Sequence, residues 1–109
     1  GTIINYSMQG TRRADLTISI SYDTNLKVAK DIITNVLQNN PKILTSPVAD
    51  VSVKNITDNS VQLAVRPWAK NEDFSSVIAD TLENCKLAFD AAGIPFQPYV
   101  MELSKTAKE

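Results

Sequence analysis

The stretch FDAAGIPF, residues Phe89–Phe96, ends a helix and begins a segment of a different kind. Gly93 favours the left-handed conformation that closes a helix, and Pro95 prevents the helix from resuming. Residues 94–103 then form an arm whose large side chains are apolar on both faces of an extended chain. One face carries Phe96 and Val100, and the other carries Tyr99, Met101 and Leu103. One self-contained sheet face is not expected to cover both sides, so the pattern predicts contact with a neighbouring subunit.

Upstream of the arm, the hydrophobic pattern predicts the order strand, helix, strand, strand, helix. The predicted strands are 16–22, 50–56 and 61–66. The first predicted helix is 25–39, and the second begins near 71–73, repeats apolar residues from Phe74 to Phe89 and stops at Gly93. Tyr22 and Val53 are expected to face inward, and Asp23 and Thr24 are expected to cap the first helix. This order resembles the split βαβ arrangement of ferredoxin-like folds, an α+β two-layer sandwich with two helices on one face of an antiparallel sheet. The arm takes the place of the last strand.

Bulk composition indicates one ordinary globular domain. The chain has 109 residues, 43% hydrophobic content and a net charge of −1. This charge argues against binding to DNA or to a membrane surface through bulk charge. No uninterrupted apolar run exceeds three residues, so no membrane-spanning helix is predicted. The first residue is not a methionine and no signal peptide is visible, which suggests a fragment.

The sequence offers no catalytic, metal-binding or cofactor-binding motif. It contains no histidine, one cysteine and three glycines, which excludes histidine-based triads, thiolate zinc sites and glycine-rich phosphate loops within this chain. Cys85 lies on the apolar stripe of the second helix and is predicted to be a buried packing residue. Gly10 with Arg12 and Arg13 is interpreted as a connector. The prediction is a protein that is not an enzyme and binds no cofactor.

Trp68 is the remaining candidate for a contact residue. It follows Pro67 directly after the third predicted strand. Two interpretations stay open: the indole covers the end of the domain's own core, or it anchors a neighbouring subunit, since tryptophan is favoured at interface hot spots.

Taken in order, several segments resemble the small-conductance mechanosensitive channel (MscS) family. Gly1–Ser7 is similar to the strand that closes the middle β domain of these channels, and Arg12–Arg13 with the following strand resembles the start of their C-terminal α/β domain. Asn40–Leu44, Ser60–Trp68 and Phe89–Phe96 are similar to a loop, a strand and the C-terminal signature of that domain. The resemblance covers nearly the whole chain.

The resemblance implies a function and a division of the chain. Such channels are membrane proteins, typically heptamers, that open under tension during hypo-osmotic shock, and their C-terminal domains form a hollow cytoplasmic cage. By analogy, residues 1–13 end the middle β domain, 14–93 form the α/β domain, 94–103 form an arm that joins a β-barrel between subunits, and 104–109 are a polar tail. The full-length protein is expected in the bacterial inner membrane and this fragment in the cytoplasm, with no nucleic-acid or small-molecule partner. The expected subunit contacts are Trp68, Ile94, Pro95, Phe96, Tyr99, Val100 and Met101.

An alternative of a different class is a small-molecule-binding regulatory domain with the same ferredoxin-like topology. Such modules often dimerise and bind a metabolite between subunits. They are expected to carry a glycine-bearing loop directly after the first strand. Here that loop is Tyr22–Asn25 and contains no glycine, which disfavours this alternative.

Overall fold

The computed structural model describes residues 10–99, and residues 97–99 by their backbone alone. The predicted strand near the amino terminus and the predicted polar tail therefore lie outside the described residues. The described part holds six strands and two helices. They are β1 (Thr11–Arg13), β2 (Leu16–Ser21), α1 (Leu26–Gln38), β3 (Asp50–Ile56), β4 (Ser60–Arg66), β5 (Trp68–Lys70), α2 (Phe74–Ala91) and β6 (Gln97–Tyr99). A 3-10 turn, Asn71–Asp73, precedes α2.

Four strands form one antiparallel sheet in the order β3-β4-β2-β6. With α1 between β2 and β3, and α2 between β4 and β6, this is the ferredoxin-like arrangement. The predicted α+β fold class is confirmed, including a last strand at the position of the arm. β1 and β5 form a separate two-stranded antiparallel sheet that the sequence did not predict.

Strand β2 contributes one face to the hydrophobic core. Its alternating residues Leu16, Ile18 and Ile20 are buried in the main hydrophobic cluster, as the period-two pattern predicts. The predicted inward orientation of Tyr22 is wrong, since its side chain is 60% exposed. The strand ends at Ser21, and the amide of Thr24 donates to the Ser21 carbonyl at 2.9 Å, so the chain turns away from the sheet at Tyr22.

Helix α1 buries Ala29, Ile33 and Leu37, one residue from each successive turn. Its amino-terminal cap is Asn25, whose side-chain oxygen accepts a hydrogen bond from the Val28 amide at 3.0 Å. The predicted cap at Asp23 or Thr24 is therefore wrong by one or two positions. Asn and Asp are about equally good caps, so composition alone does not select among these neighbours.

Helix α2 presents an i, i+4 stripe to the core that consists of Val77, Thr81, Cys85 and Phe89. Thr81 is fully buried, and its hydroxyl has no hydrogen-bond partner among the described residues. The buried apolar residues that form the core with this stripe come mainly from α1, β2 and β4, so the core lies between the helix pair and one face of the sheet.

The edge strand β3 departs from the predicted alternation. Val51 packs against the core, but Val53 is 40% exposed. A β-bulge between Val53 and Asn55 shifts the register with β4 and turns the strand at this point. The inward orientation predicted for Val53 is therefore wrong, whereas Val61, Leu63 and Val65 of β4 are buried as predicted.

Candidate interaction surface

The helix stop has the hydrogen-bond pattern of a Schellman motif. Gly93 has φ of 72°. Its amide donates to the Asp90 carbonyl at 3.1 Å, and the Ile94 amide donates to the Phe89 carbonyl at 2.9 Å. These bonds satisfy carbonyl groups at the end of α2 and fix the direction in which the arm leaves the helix. The role predicted for Gly93 is thus confirmed by the geometry.

The described part of the arm folds back on its own chain. The ring of Phe96 contacts Phe89 edge to face, with a centroid distance of 5.2 Å and an interplanar angle of 70°. Ile94 and Phe96 are half-buried against the core cluster, whereas Pro95 is exposed. Ile94 and Phe96 thus pack partly against their own subunit, and their predicted contacts with a neighbouring subunit stay predictions.

The backbone of β6 also packs against its own chain. It pairs antiparallel with β2, with Gln97 opposite Ser19 and Tyr99 opposite Thr17. Within residues 10–99, β2 is the only partner of β6, so β6 is an edge strand of the described sheet. Val100 and Met101, two of the predicted contact residues, lie outside the described residues.

Trp68 lies apart from the arm. It belongs to β5, where it pairs with Arg13 of β1, and its indole is half-buried. Its carbonyl accepts a hydrogen bond from the Leu44 amide at 2.9 Å. The structure therefore brings Ile94, Pro95 and Phe96 together at one end of α2 but places Trp68 in the two-stranded sheet.

The segment interpreted as a connector is strand β1. Arg12 stacks its guanidinium over the Phe74 ring at 3.9 Å from the centroid, a cation–π contact between β1 and the first residue of α2. Arg13 forms an ion pair with Asp15 at 2.7 Å. Both arginines are thus engaged in contacts with their own chain.

A small ion network continues from Asp15 across the sheet. Arg66 of β4 lies 3.9 Å from Asp15 and 3.4 Å from Asp50 of β3. The side chains of these three residues are 36–58% exposed, and exposed ion pairs each contribute about 0–1 kcal/mol. The network links neighbouring ends of β2, β4 and β3, and it adds little to the free energy of unfolding.

The residues that could carry chemistry are few. Cys85 is fully buried, and this burial raises the pKa of its thiol from 9.0 to about 12, which keeps the sulfur protonated and unreactive. Among the described residues, no group of three or more His, Cys, Asp or Glu side chains could hold a metal ion. The same residues include no helix with the length and apolar character needed to cross a membrane.

Several exposed apolar side chains were missed by the sequence pattern. Val48 is 76% exposed, and Ile56 and Leu87 are each 58% exposed. Val48 lies at the edge of a cleft of about 170 Å³ beside the carboxyl end of α1, lined by Leu37, Gln38, Ile43, Leu44, Thr45, Val48 and Ala49. Val48 directly follows Pro47 in the connection before β3, and an apolar residue in such a loop is a signal that the sequence offered.

The loop that would distinguish a metabolite-binding domain is occupied by local contacts. In Tyr22–Asn25, the Asn25 side chain caps α1 and the Thr24 amide bonds back to Ser21. A cleft of about 320 Å³ lies beside the end of β2, and its lining residues are Ser19, Ile20, Ser21, Asn59, Ser60 and Pro95, none of them charged. No observation in this region favours the metabolite-binding alternative.

Comparison with known proteins gives a consistent family match. A family model described as "Mechanosensitive ion channel MscS, C-terminal" matches residues 14–96. The small-conductance mechanosensitive channel of Edwardsiella ictaluri (strain 93-146) is 31% identical over 110 aligned positions, which cover 99% of this chain and 38% of that protein. An uncharacterized MscS family protein of Buchnera aphidicola subsp. Baizongia pistaciae (strain Bp) is 30% identical over 107 positions, which cover 96% of this chain and 38% of that protein.

A solved structure has the same architecture. The crystal structure of Helicobacter pylori MscS in its closed state superposes with a TM-score of 0.74 and 25% sequence identity, covering 86% of this chain and 38% of that chain. The chain spans about two fifths of the length of the curated relatives it matches.

Proposed function

The chain belongs to the MscS family of mechanosensitive ion channels, whose C-terminal domain it matches, and we propose that it forms the cytoplasmic vestibule of such a channel. The family resemblance predicted from the sequence is thereby confirmed. In this proposal the complete subunit releases solutes when membrane tension rises during hypo-osmotic shock. The domain itself filters solutes, supports assembly and carries out no chemistry.

The observation that carries the proposal is that the residues matched by the family model are the residues that form the folded core. Residues 14–96 begin just before β2 and end at Phe96, after the return of the arm to the core. They contain every residue of the buried hydrophobic cluster. The stretch that resembles the family signature is also the stretch that closes α2 and directs the chain into the sheet.

Membrane attachment and assembly are part of the same proposal. We place the tension-sensing helices in a part of the subunit that precedes this domain, in the inner membrane of a bacterium, with this domain in the cytoplasm. The subunits form a homo-oligomer, with seven copies by analogy with the family. The proposed contacts are Trp68, Ile94, Pro95, Phe96, Tyr99, Val100 and Met101. Ile94 and Phe96 also position the arm from within the subunit, since both pack partly against the core.

The functional test is a shock experiment on the complete subunit. We would express it in bacteria that lack their own mechanosensitive channels and measure survival after a rapid fall in external osmolarity. Patch-clamp recording on the same membranes would measure tension-gated currents. A complete subunit that reaches the membrane but produces neither survival nor current would refute the proposal.

The assembly test uses two truncations of the same complete subunit. Ending the chain after Leu103 removes the predicted polar tail 104–109 with any residues that follow it, and ending it after Tyr99 also removes Val100–Leu103 while keeping β6. We expect the first truncation to keep the oligomer measured by light scattering and the second to lose it. Truncation after Gly93 is less informative, because it also removes β6 and uncovers the Phe89 ring.

A further inference from the structure

Strand β6 lies at one edge of the four-stranded sheet, and its middle residue is a proline. Within residues 10–99 the strand pairs with β2, and Pro98 lies opposite Ile18. Proline has no backbone N–H group, so these two residues cannot form the pair that exchanges two backbone hydrogen bonds. Since hydrogen-bonded and non-hydrogen-bonded pairs alternate along an antiparallel ladder, the hydrogen-bonded pairs are the two flanking ones, Thr17–Tyr99 and Ser19–Gln97.

This alternation determines which backbone groups lie on the outer side of β6. The backbone N–H and C=O groups of Gln97 and Tyr99 point towards β2, and the backbone of Pro98 faces away from it. On that outer side Pro98 contributes a carbonyl group but no N–H group. Over its three residues, β6 therefore presents one backbone acceptor and no backbone donor to a further strand.

The association that this arrangement opposes is pairing of β6 with β6 of a second copy of the chain. In the antiparallel pairing centred on a two-fold axis at Pro98, residue 98 of one copy lies opposite residue 98 of the other. These residues would form the hydrogen-bonded pair of the new ladder, because their backbone groups are the ones that face outward. Two prolines supply no N–H group, so both hydrogen bonds of this pair are lost.

The opposite edge of the sheet carries a different obstacle. Strand β3 has a bulge between Val53 and Asn55, with Lys54 as the extra residue. Bulges and charged residues on edge strands hinder the addition of another strand, as prolines do. Both edges of the four-stranded sheet within residues 10–99 thus carry features that oppose its extension.

We propose that Pro98 keeps the sheet of one subunit from extending into a second copy, so that the backbone of β6 pairs only within its own subunit. An edge strand with free donors and acceptors is a template for uncontrolled association, and the missing N–H group removes the donor from this one. Resting on the proposed function, neighbouring domains of the vestibule then contact residues 97–99 without joining into one continuous sheet.

The first test is hydrogen exchange of the 109-residue chain carrying Pro98→Ala, followed by NMR at low protein concentration. The new amide at residue 98 should exchange at the rate of an unprotected amide, because it faces away from β2. The amides of Gln97 and Tyr99 should exchange more slowly, because they bond to β2. Equal protection at residues 97, 98 and 99 would overturn the proposal, since the N–H group at residue 98 would then already have a partner within one copy.

The second test separates the N–H group from the change of side chain. A synthetic peptide of residues 85–109 can be ligated through Cys85 to a recombinant segment of residues 1–84, which allows Pro98→Ala to be compared with Pro98→N-methylalanine. The two variants have the same side chain, but N-methylalanine, like proline, has no N–H group. Sedimentation equilibrium should show self-association about ten-fold tighter for Pro98→Ala, the effect of about two net hydrogen bonds, and no change from the parent chain for Pro98→N-methylalanine.

Equal self-association of these two variants would overturn the proposal, because they differ in the N–H group at residue 98. Circular dichroism of both variants would check that each is folded before the comparison is made. Neither test requires channel activity, so their outcomes are separate from that of the shock experiment.

Discussion

Gly93→Ala isolates the energetic role of the left-handed helix stop. At φ of 72°, an added Cβ atom would meet no other heavy atom within 4 Å, so the substitution introduces no steric clash with neighbouring residues. The remaining native-state cost is the backbone strain of an alanine in this conformation, about 1–2 kcal/mol. Part of it is offset because alanine lowers the entropy of the unfolded chain, an effect of about 0.4–1 kcal/mol. The net loss of unfolding free energy should be about 1 kcal/mol.

Urea unfolding monitored by circular dichroism would measure this loss directly, and thermal unfolding should show a fall in Tm of roughly 5 °C for a domain of this size. Gly93→Asn should lose less, because asparagine tolerates the left-handed region better. Gly10→Ala is a matched control: its φ is 80°, and an added Cβ would meet only the Asn71 side-chain nitrogen at 3.9 Å. It should cost a similar amount. A Gly93→Ala variant that is more stable than the parent chain, or one that loses more than about 3 kcal/mol, would refute the strain argument.

Three further predictions concern groups that lie in the core or pack against it. Cys85 should resist Ellman's reagent at pH 8 in the folded chain. Since its folded pKa is about 12 against an ordinary 9.0, unfolding free energy should fall as pH rises above 9, and this component should be missing in Cys85→Ala. Thr81→Val should leave stability unchanged or raise it by up to about 1 kcal/mol, because the hydroxyl it removes is buried without a described partner; a clear loss in urea unfolding would show that the hydroxyl is bonded. Phe96→Ala should cost about 2 kcal/mol, because it removes the ring that packs against Phe89. The control is Leu87→Ala on the exposed side of α2, which should change the unfolding free energy by less than about 0.5 kcal/mol. Equal losses for Phe96→Ala and Leu87→Ala would contradict the packing role of Phe96.

The features that the sequence predicted correctly depend on interactions between residues that are close in sequence. The alternation of β2 and the stop at Gly93 depend on residues that are neighbours in sequence, and both appear as expected. The ferredoxin-like order followed from the same local patterns placed in sequence. The cap at Asn25 shows the limit of this approach, because adjacent residues offered equivalent side-chain oxygens and the turn geometry selected one of them.

The missed features depend on contacts between distant parts of the chain. Strands β1 and β5 have three residues each, too few to show a period, and they recognise each other across more than fifty intervening residues. The exposure of Val53 follows from a bulge against β4, which is a property of the pair of strands and not of β3 alone. Neither feature has a signal in a single window of sequence.

The arm that follows α2 shows how a local sequence pattern and contacts between distant residues together determine a structure. The sequence predicted residues 94–103 to be apolar on both faces, but it could not show that β6 pairs with the edge of β2 or that Phe89 presents a ring to Phe96. Because Ile94 and Phe96 are used inside the subunit, the arm is positioned by its own core before any neighbour arrives. A pre-positioned segment loses less conformational freedom on association than a disordered one, which favours assembly. Substitutions at Phe96 should therefore weaken assembly through the position of β6 in addition to any lost contact with a neighbour, whereas substitutions at exposed Pro95 should act only through direct contacts with a neighbour.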